Sequence, residues 1–154
     1  MSKKKRPRQS GQQKQPHWQP ISMLPTLATH IDGMLEVDEE QYHHLLQARP
    51  KPHVLDDFTV NRVIQVFTKQ QKDLPLFDEQ LKRWQALTLT LTTEQRAEVE
   101  RLVKQMARLH EVHDQVLALA RELSQGTIEK VMSKSDAELG MEYLLRMMGG
   151  KGMP

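Results

Sequence analysis

Residues 92–125 decide the fold of this chain, with the sequence TTEQRAEVERLVKQMARLHEVHDQVLALARELSQ. The stretch opens with a capping box, in which the Thr92 hydroxyl accepts a hydrogen bond from a first-turn amide and the Gln95 side chain reaches back to the Thr92 amide. No glycine or proline follows before Gly126. This pattern predicts one long helix over residues 93–125, which we expect to be the central strut of an all-α domain.

An apolar stripe with the heptad spacing of a coiled coil runs along this helix. Its members are Val99, Leu102, Met106, Leu109, His113, Val116, Ala120 and Leu123. Further apolar residues widen the stripe in the second half, which should therefore pack on several neighbours; they are Val103, Val112, Leu117 and Leu119. The first half is narrow and suits one partner helix, so we expect a protein partner or self-association there. Lys104 and Arg108 should face solvent.

Shorter helices are predicted on both sides of the long one, which makes the expected fold a bundle of five or six helices around it. Before it, we expect helices over residues 18–35, from Asp38 to Pro50, after Asp57, and after Pro75. After Gly126, we expect a short turn or helix over residues 128–132, and then a last helix opened by a second capping box over residues 135–138. Residues 88–92 alternate as a strand does, but no second strand is present to pair with them. We predict a loop or helix tail there, with an intermolecular strand as the alternative.

Charge is divided unequally along the chain. The first twenty residues carry six basic and no acidic side chains, whereas the other 134 residues carry 16 basic and 20 acidic ones. We therefore expect a disordered basic arm over residues 1–20, a helical domain over 21–148 and a flexible tail over 149–154. Solvated cations neutralise phosphate whatever its sequence, so the predicted nucleic-acid-binding residues are Lys3, Lys4, Lys5, Arg6, Arg8 and Lys14. An acidic protein, anionic lipid, a nuclear-import address or simple solubilisation are the alternatives.

Histidines offer a second, metal-binding interpretation. Glu40 and His43 have the Glu-x-x-His spacing of di-iron bundles, and His110 and His113 lie on adjacent turns of the long helix. The di-iron pattern requires that step twice, and it occurs once here. Glu40, His43, His110 and His113 would still suffice for a single zinc ion. The competing interpretation is that His113 is hydrogen-bonded at the edge of the core, while His43 and His44 face solvent.

The sequence contains none of the common catalytic motifs. It has no nucleophile elbow, zincin, Walker A or dinucleotide-binding glycine pattern, and it has no cysteine. No apolar run has the length of a signal peptide core or a membrane span, so we expect a cytoplasmic protein without a cofactor. Methionines crowd the C-terminal end at Met141, Met147, Met148 and Met153, where we expect ordinary core packing, with a pliable docking face as the alternative. The sequence thus favours a non-enzymatic interaction or assembly module.

Overall fold

The computed structural model of the chain describes residues 17–148, except for the side chains of 134–137, 139, 142 and 146. Within this range the chain is helical and contains no strand, so the all-α class is confirmed. The helices are α1 (Leu24–Ala48), α2 (Asp57–Gln71), α3 (Leu74–Gln85), α4 (Thr93–Leu123) and α5 (Ile128–Met148). The predicted bundle of five or six helices is not supported. Three helices, α1, α4 and α5, are long, and two of the predicted breaks between helices, before Asp38 and before residue 135, are absent.

Helix α4 is the central strut, as predicted. The Thr92 hydroxyl accepts from the Gln95 amide at 3.0 Å, and the Gln95 side chain accepts from the Thr92 amide at 3.0 Å, which completes the capping box. All eight residues of the heptad stripe are at most 1% exposed, and Val112, Leu117 and Leu119 are also buried. Lys104 and Arg108 are exposed, as expected.

The narrow first half of the stripe is not an open seam. Helices α1, α2 and α3 of the same chain pack against α4, and Val99, Leu102 and Met106 belong to the core that they enclose. A partner could reach this face only by displacing the chain's own helices. The first half of the stripe thus packs within the chain, and a protein partner or self-association through α4 stays a prediction.

Helix α1 runs without a break through the position where two helices were predicted. Pro25 lies in its first turn, where a proline is tolerated, and the next proline is Pro50. A second helix was expected to start at Asp38, but Asp38 lies buried in the middle of α1 and bonds to His113 on α4. An aspartate favours helix starts because its carboxylate can bond to free amides. Here the carboxylate has a partner in the core, and nothing interrupts the helix.

Helix α5 likewise begins earlier than the predicted capping box over residues 135–138. The start of α5 is bonded to the start of α2 and to the residues just before it. The Ile128 amide donates to the Leu55 carbonyl at 2.7 Å, and the hydroxyl of Thr127, just before α5, donates to Asp57, the first residue of α2, at 2.5 Å. The bond from Thr127 lowers the pKa of the Asp57 carboxyl. No glycine or proline follows until Gly140, so nothing in the sequence ends the helix before residues 135–138. A capping sequence permits a helix to start but does not end the preceding one.

Residues 88–92 form turns rather than a strand, which confirms the loop prediction. Leu91 is buried, whereas Leu89 is 97% exposed. The alternating pattern of residues 88–92 therefore reflects one buried and one solvent-facing leucine in a loop.

Candidate binding site

An open groove lies between α1, α3 and the segment 17–20 that precedes α1, and it encloses about 470 Å³. This volume is within the range of roughly 300–1,000 Å³ that is usual for small-molecule sites. The walls are mainly aromatic and apolar, and they include Trp18, Met23, Leu27, His30, Phe77 and Trp84. None of the described residues that line the groove is acidic.

The segment 17–20 forms a fixed wall of the groove, because α3 bonds to its backbone. The Gln19 amide donates to the side-chain oxygen of Gln80 at 2.7 Å. The Gln19 carbonyl accepts from the Gln80 side-chain nitrogen at 3.3 Å and from the Trp84 indole nitrogen at 3.0 Å. Gln80 and Trp84 are almost fully buried, so these bonds satisfy polar groups that have no access to water.

Sequence reasoning missed this wall and placed residues 17–20 in a disordered arm. The structure describes residues 17–20, and the backbone of Gln19 is bonded to α3. The segment is held by side chains that bond to its backbone, and such bonds leave no apolar periodicity to detect. One signal was present: a buried tryptophan usually needs a partner for its indole N–H, and Gln80 lies one turn before Trp84 on the same face of α3.

Three aromatic side chains of the groove lie in contact with other side chains or with each other. Trp18 is half-buried and carries the Arg83 guanidinium 4.4 Å from its ring centroid, within the range of a cation–π contact. Arg83 is also paired with Glu79, four residues earlier on α3, at 3.2 Å. His30 and Phe77 approach with their ring centroids 5.3 Å apart at an angle of 38°. The groove therefore offers several aromatic surfaces to a planar group.

The six predicted cationic residues lie outside the described residues; they are Lys3, Lys4, Lys5, Arg6, Arg8 and Lys14. The covalent chain nevertheless fixes where their segment attaches. His17 lines the groove, and Lys14 precedes it by three residues. The basic segment consequently joins the folded body at the rim of the aromatic groove.

The four candidate metal ligands are not assembled into a site. Glu40 and His43 are exposed on α1, and His110 bonds to Asp78 on α3 at 2.6 Å. His113 has both ring nitrogens occupied, as described below. Across residues 17–148, no three histidine, aspartate or glutamate side chains with described positions are grouped so that they could hold a metal ion.

His113 and Asp38 form a buried pair in the core, with side chains 1% and 4% exposed. The Nδ1 atom of His113 lies 2.9 Å from the Asp38 carboxylate, and Nε2 lies 2.6 Å from the Phe67 carbonyl. Burial alone would lower the pKa of His113, but the bonds to Asp38 and Phe67 outweigh it and raise that pKa. The predicted hydrogen-bonded histidine is confirmed, although it lies inside the core rather than at its edge. His43 and His44 are exposed, as expected.

The far half of α5 exposes large apolar side chains. Met141, Met147 and Met148 are 58%, 58% and 75% exposed, so the expectation of ordinary core packing is wrong for them, while Met153 lies outside the described residues. Exposed apolar clusters of this kind mark surfaces that pack against something else.

Among the described residues, no helix has both the length and the apolar content to cross a membrane.

Comparison of the chain with models of protein families, with curated proteins and with solved structures gives no match.

Proposed function

We propose that the protein is a non-enzymatic helical interaction module that contacts nucleic acid through its basic N-terminal arm. The observation that carries this proposal is the attachment of the arm. The chain leaves the basic segment and enters the wall of an aromatic groove that has no acidic side chain among its described lining residues. Cationic and aromatic groups are thus neighbours along one path, and nucleic acid is the polyanion that presents both phosphates and aromatic bases.

The uneven distribution of charge supports phosphate contacts by the arm rather than by the rest of the chain. The arm has a net charge of +6, and the rest of the chain has a net charge of −4. Each arm cation that replaces a condensed counterion of nucleic acid gains the entropy of that ion's release. The rest of the chain repels phosphate overall, so without the arm little long-range attraction remains.

The metal-dependent alternative gains no support from the geometry. A ligand at His113 would have to displace either the Asp38 carboxylate or the Phe67 carbonyl from a ring nitrogen. His110 would have to leave Asp78. We therefore propose a binding module rather than a metal-dependent enzyme.

The test measures the affinity for a fluorescently labelled 20-base-pair DNA duplex by anisotropy at several salt concentrations. Six cations predict that log affinity falls with log salt with a slope of up to about −5 for duplex. The slope should approach zero, and binding should largely disappear, in a full-length variant with every arm cation changed to glutamine. Its substitutions are Lys3→Gln, Lys4→Gln, Lys5→Gln, Arg6→Gln, Arg8→Gln and Lys14→Gln.

The matched control is Lys104→Gln, which removes one exposed cation from α4. This variant should bind as the unmodified chain does. The proposal is wrong if the full chain does not bind at low salt, or if the six arm substitutions leave both the affinity and its salt dependence unchanged.

A further inference from the structure

We infer that the aromatic groove takes an unpaired nucleobase, so that the protein prefers single-stranded to double-stranded nucleic acid. This inference rests on the proposed function, because it places the base beside phosphates that the arm attracts. It goes further in assigning a second contact, made by groups of the folded body rather than by the arm.

The first argument is the chemistry of the walls. Single-stranded nucleic acid is commonly bound by aromatic side chains on which bases stack, next to a cationic path for the backbone. Trp18 and Phe77 are half-buried and His30 is exposed, so the aromatic lining is partly open to a ligand. A duplex keeps its bases stacked on one another, and its bases cannot enter such a groove without unpairing.

The second argument is charge complementarity. An apolar groove alone would accept many partners, including an apolar helix of another protein. This groove has no acidic residue among its described lining residues and is the attachment point of a segment with six cations and no acid. An apolar helix would offer no negative charge to those cations, and an acidic peptide would offer no planar group to the aromatic walls. A polyanion that carries planar rings matches both features.

The third argument is that the wall is fixed before a ligand arrives. Gln80 and Trp84 hold the backbone of Gln19 by three hydrogen bonds, and Arg83 stacks on Trp18. Ordering a loop upon binding reduces affinity, whereas a preformed surface avoids that loss. Trp18 is therefore held at the groove by its neighbours in the chain and by α3.

The experiment compares four probes at one salt concentration: a 20-nucleotide oligothymidylate, an abasic oligomer with the same number of phosphates, a duplex of 20 base pairs, and polyglutamate. The inference predicts that oligothymidylate binds more tightly than the abasic oligomer. Trp18→Ala should weaken the binding of oligothymidylate by about 5- to 150-fold, which is the usual effect of removing one stacking aromatic side chain. The affinity for the abasic oligomer should not change.

Phe77 packs against the core, so its replacement by alanine risks unfolding the chain. Phe77→Leu keeps an apolar side chain of similar size, and it should reduce the affinity for oligothymidylate without lowering the melting temperature by more than a few degrees. Trp18→Phe should retain most of the affinity. The matched control is Phe58→Ala, which removes a phenyl ring that is 74% exposed on α2, outside the groove, and which should bind normally.

The outcomes separate this inference from the proposed function. If oligothymidylate and the abasic oligomer bind equally, or if Trp18→Ala and Phe77→Leu bind as the unmodified chain does, the groove does not hold a base, although the arm proposal stands. If polyglutamate binds as tightly as oligothymidylate, the partner is an acidic protein and the inference is wrong. If the arm substitutions leave oligothymidylate binding intact while Trp18→Ala abolishes it, the arm proposal fails and the groove remains. If no probe binds at low salt, both are wrong.

Discussion

Replacing Asp38 with alanine should remove the only carboxylate that the structure places on the buried His113 imidazole, within the described part of the chain. Nε2 would keep the Phe67 carbonyl as its partner, but Nδ1 would lose its hydrogen-bond partner inside the core. Breaking a buried charged pair by removing one partner costs about 3–5 kcal/mol. Small domains unfold with a free energy of about 5–15 kcal/mol, so this loss is a large part of the total.

Asp32→Ala is the matched control for this change. Asp32 lies on the same helix, and it is also paired with a basic residue of α4, at 2.9 Å from Arg101. Its side chain is 41% exposed, and Arg101 keeps a second partner in Glu98. Exposed pairs of this kind contribute about 0–1 kcal/mol. Urea unfolding followed by circular dichroism at 222 nm should therefore show a much larger fall in stability for Asp38→Ala than for Asp32→Ala.

The same pair predicts a dependence on pH. The pKa of His113 is raised in the folded chain. The stability from this group is thus fully present below its unfolded pKa, near 6.5, and is lost as pH rises through the folded pKa, by at most about 1.4 kcal/mol per pH unit. Asp38→Ala removes the attraction between the two groups, so the stability difference between this variant and the unmodified chain should shrink as pH rises from about 6.5 through the folded pKa of His113. Equal losses for the two alanine variants, or a gap that widens with pH, would refute the reasoning.

Four further substitutions test the local structure by chemical unfolding. Thr92→Ala removes the hydroxyl of the capping box and should destabilise the chain by about 0.5–2 kcal/mol, so an unchanged unfolding midpoint would mean that the cap contributes nothing. Gly33→Ala should stabilise it by about 0.4–1 kcal/mol, because Gly33 lies inside α1 and an added Cβ meets nothing within 4 Å; a loss of stability would contradict this environment. Leu109→Ala should cost about 2–5 kcal/mol, whereas Lys104→Glu on the exposed face should change stability by no more than about 0.5 kcal/mol, and similar effects would contradict the register of α4.

The parts of the fold that could be predicted from sequence are those set by neighbouring residues. The capping box at Thr92 and Gln95 is a local exchange of two hydrogen bonds, and the heptad spacing of α4 fixes which face is buried. The division of the other helices could not be predicted in the same way. Asp38 has the chemistry of a helix cap, and only the distant position of His113 on α4 makes it a core residue instead.

The candidate site depends even more on contacts between residues that are far apart in the sequence. The long helix follows from its apolar spacing, but the groove depends on Gln80 and Trp84 bonding to the backbone of Gln19, more than sixty residues earlier. Backbone contacts of this kind do not depend on the type of residue that is held, so they leave almost no trace in a single sequence. The cations of the arm were recognisable from composition, whereas the surface beside them was not.

The most direct test of the account is an NMR titration of the ¹⁵N-labelled full chain with oligothymidylate at low salt. The chain has two tryptophans, so it gives two indole N–H signals, and Trp18→Phe assigns them. Both report on the groove, since Trp18 lines it and the Trp84 N–H bonds to the wall at Gln19. The account predicts that the Trp18 signal shifts as the oligonucleotide binds, and that the shift is lost when the arm cations are changed to glutamine. Binding of the oligonucleotide with both indole signals unmoved would contradict it.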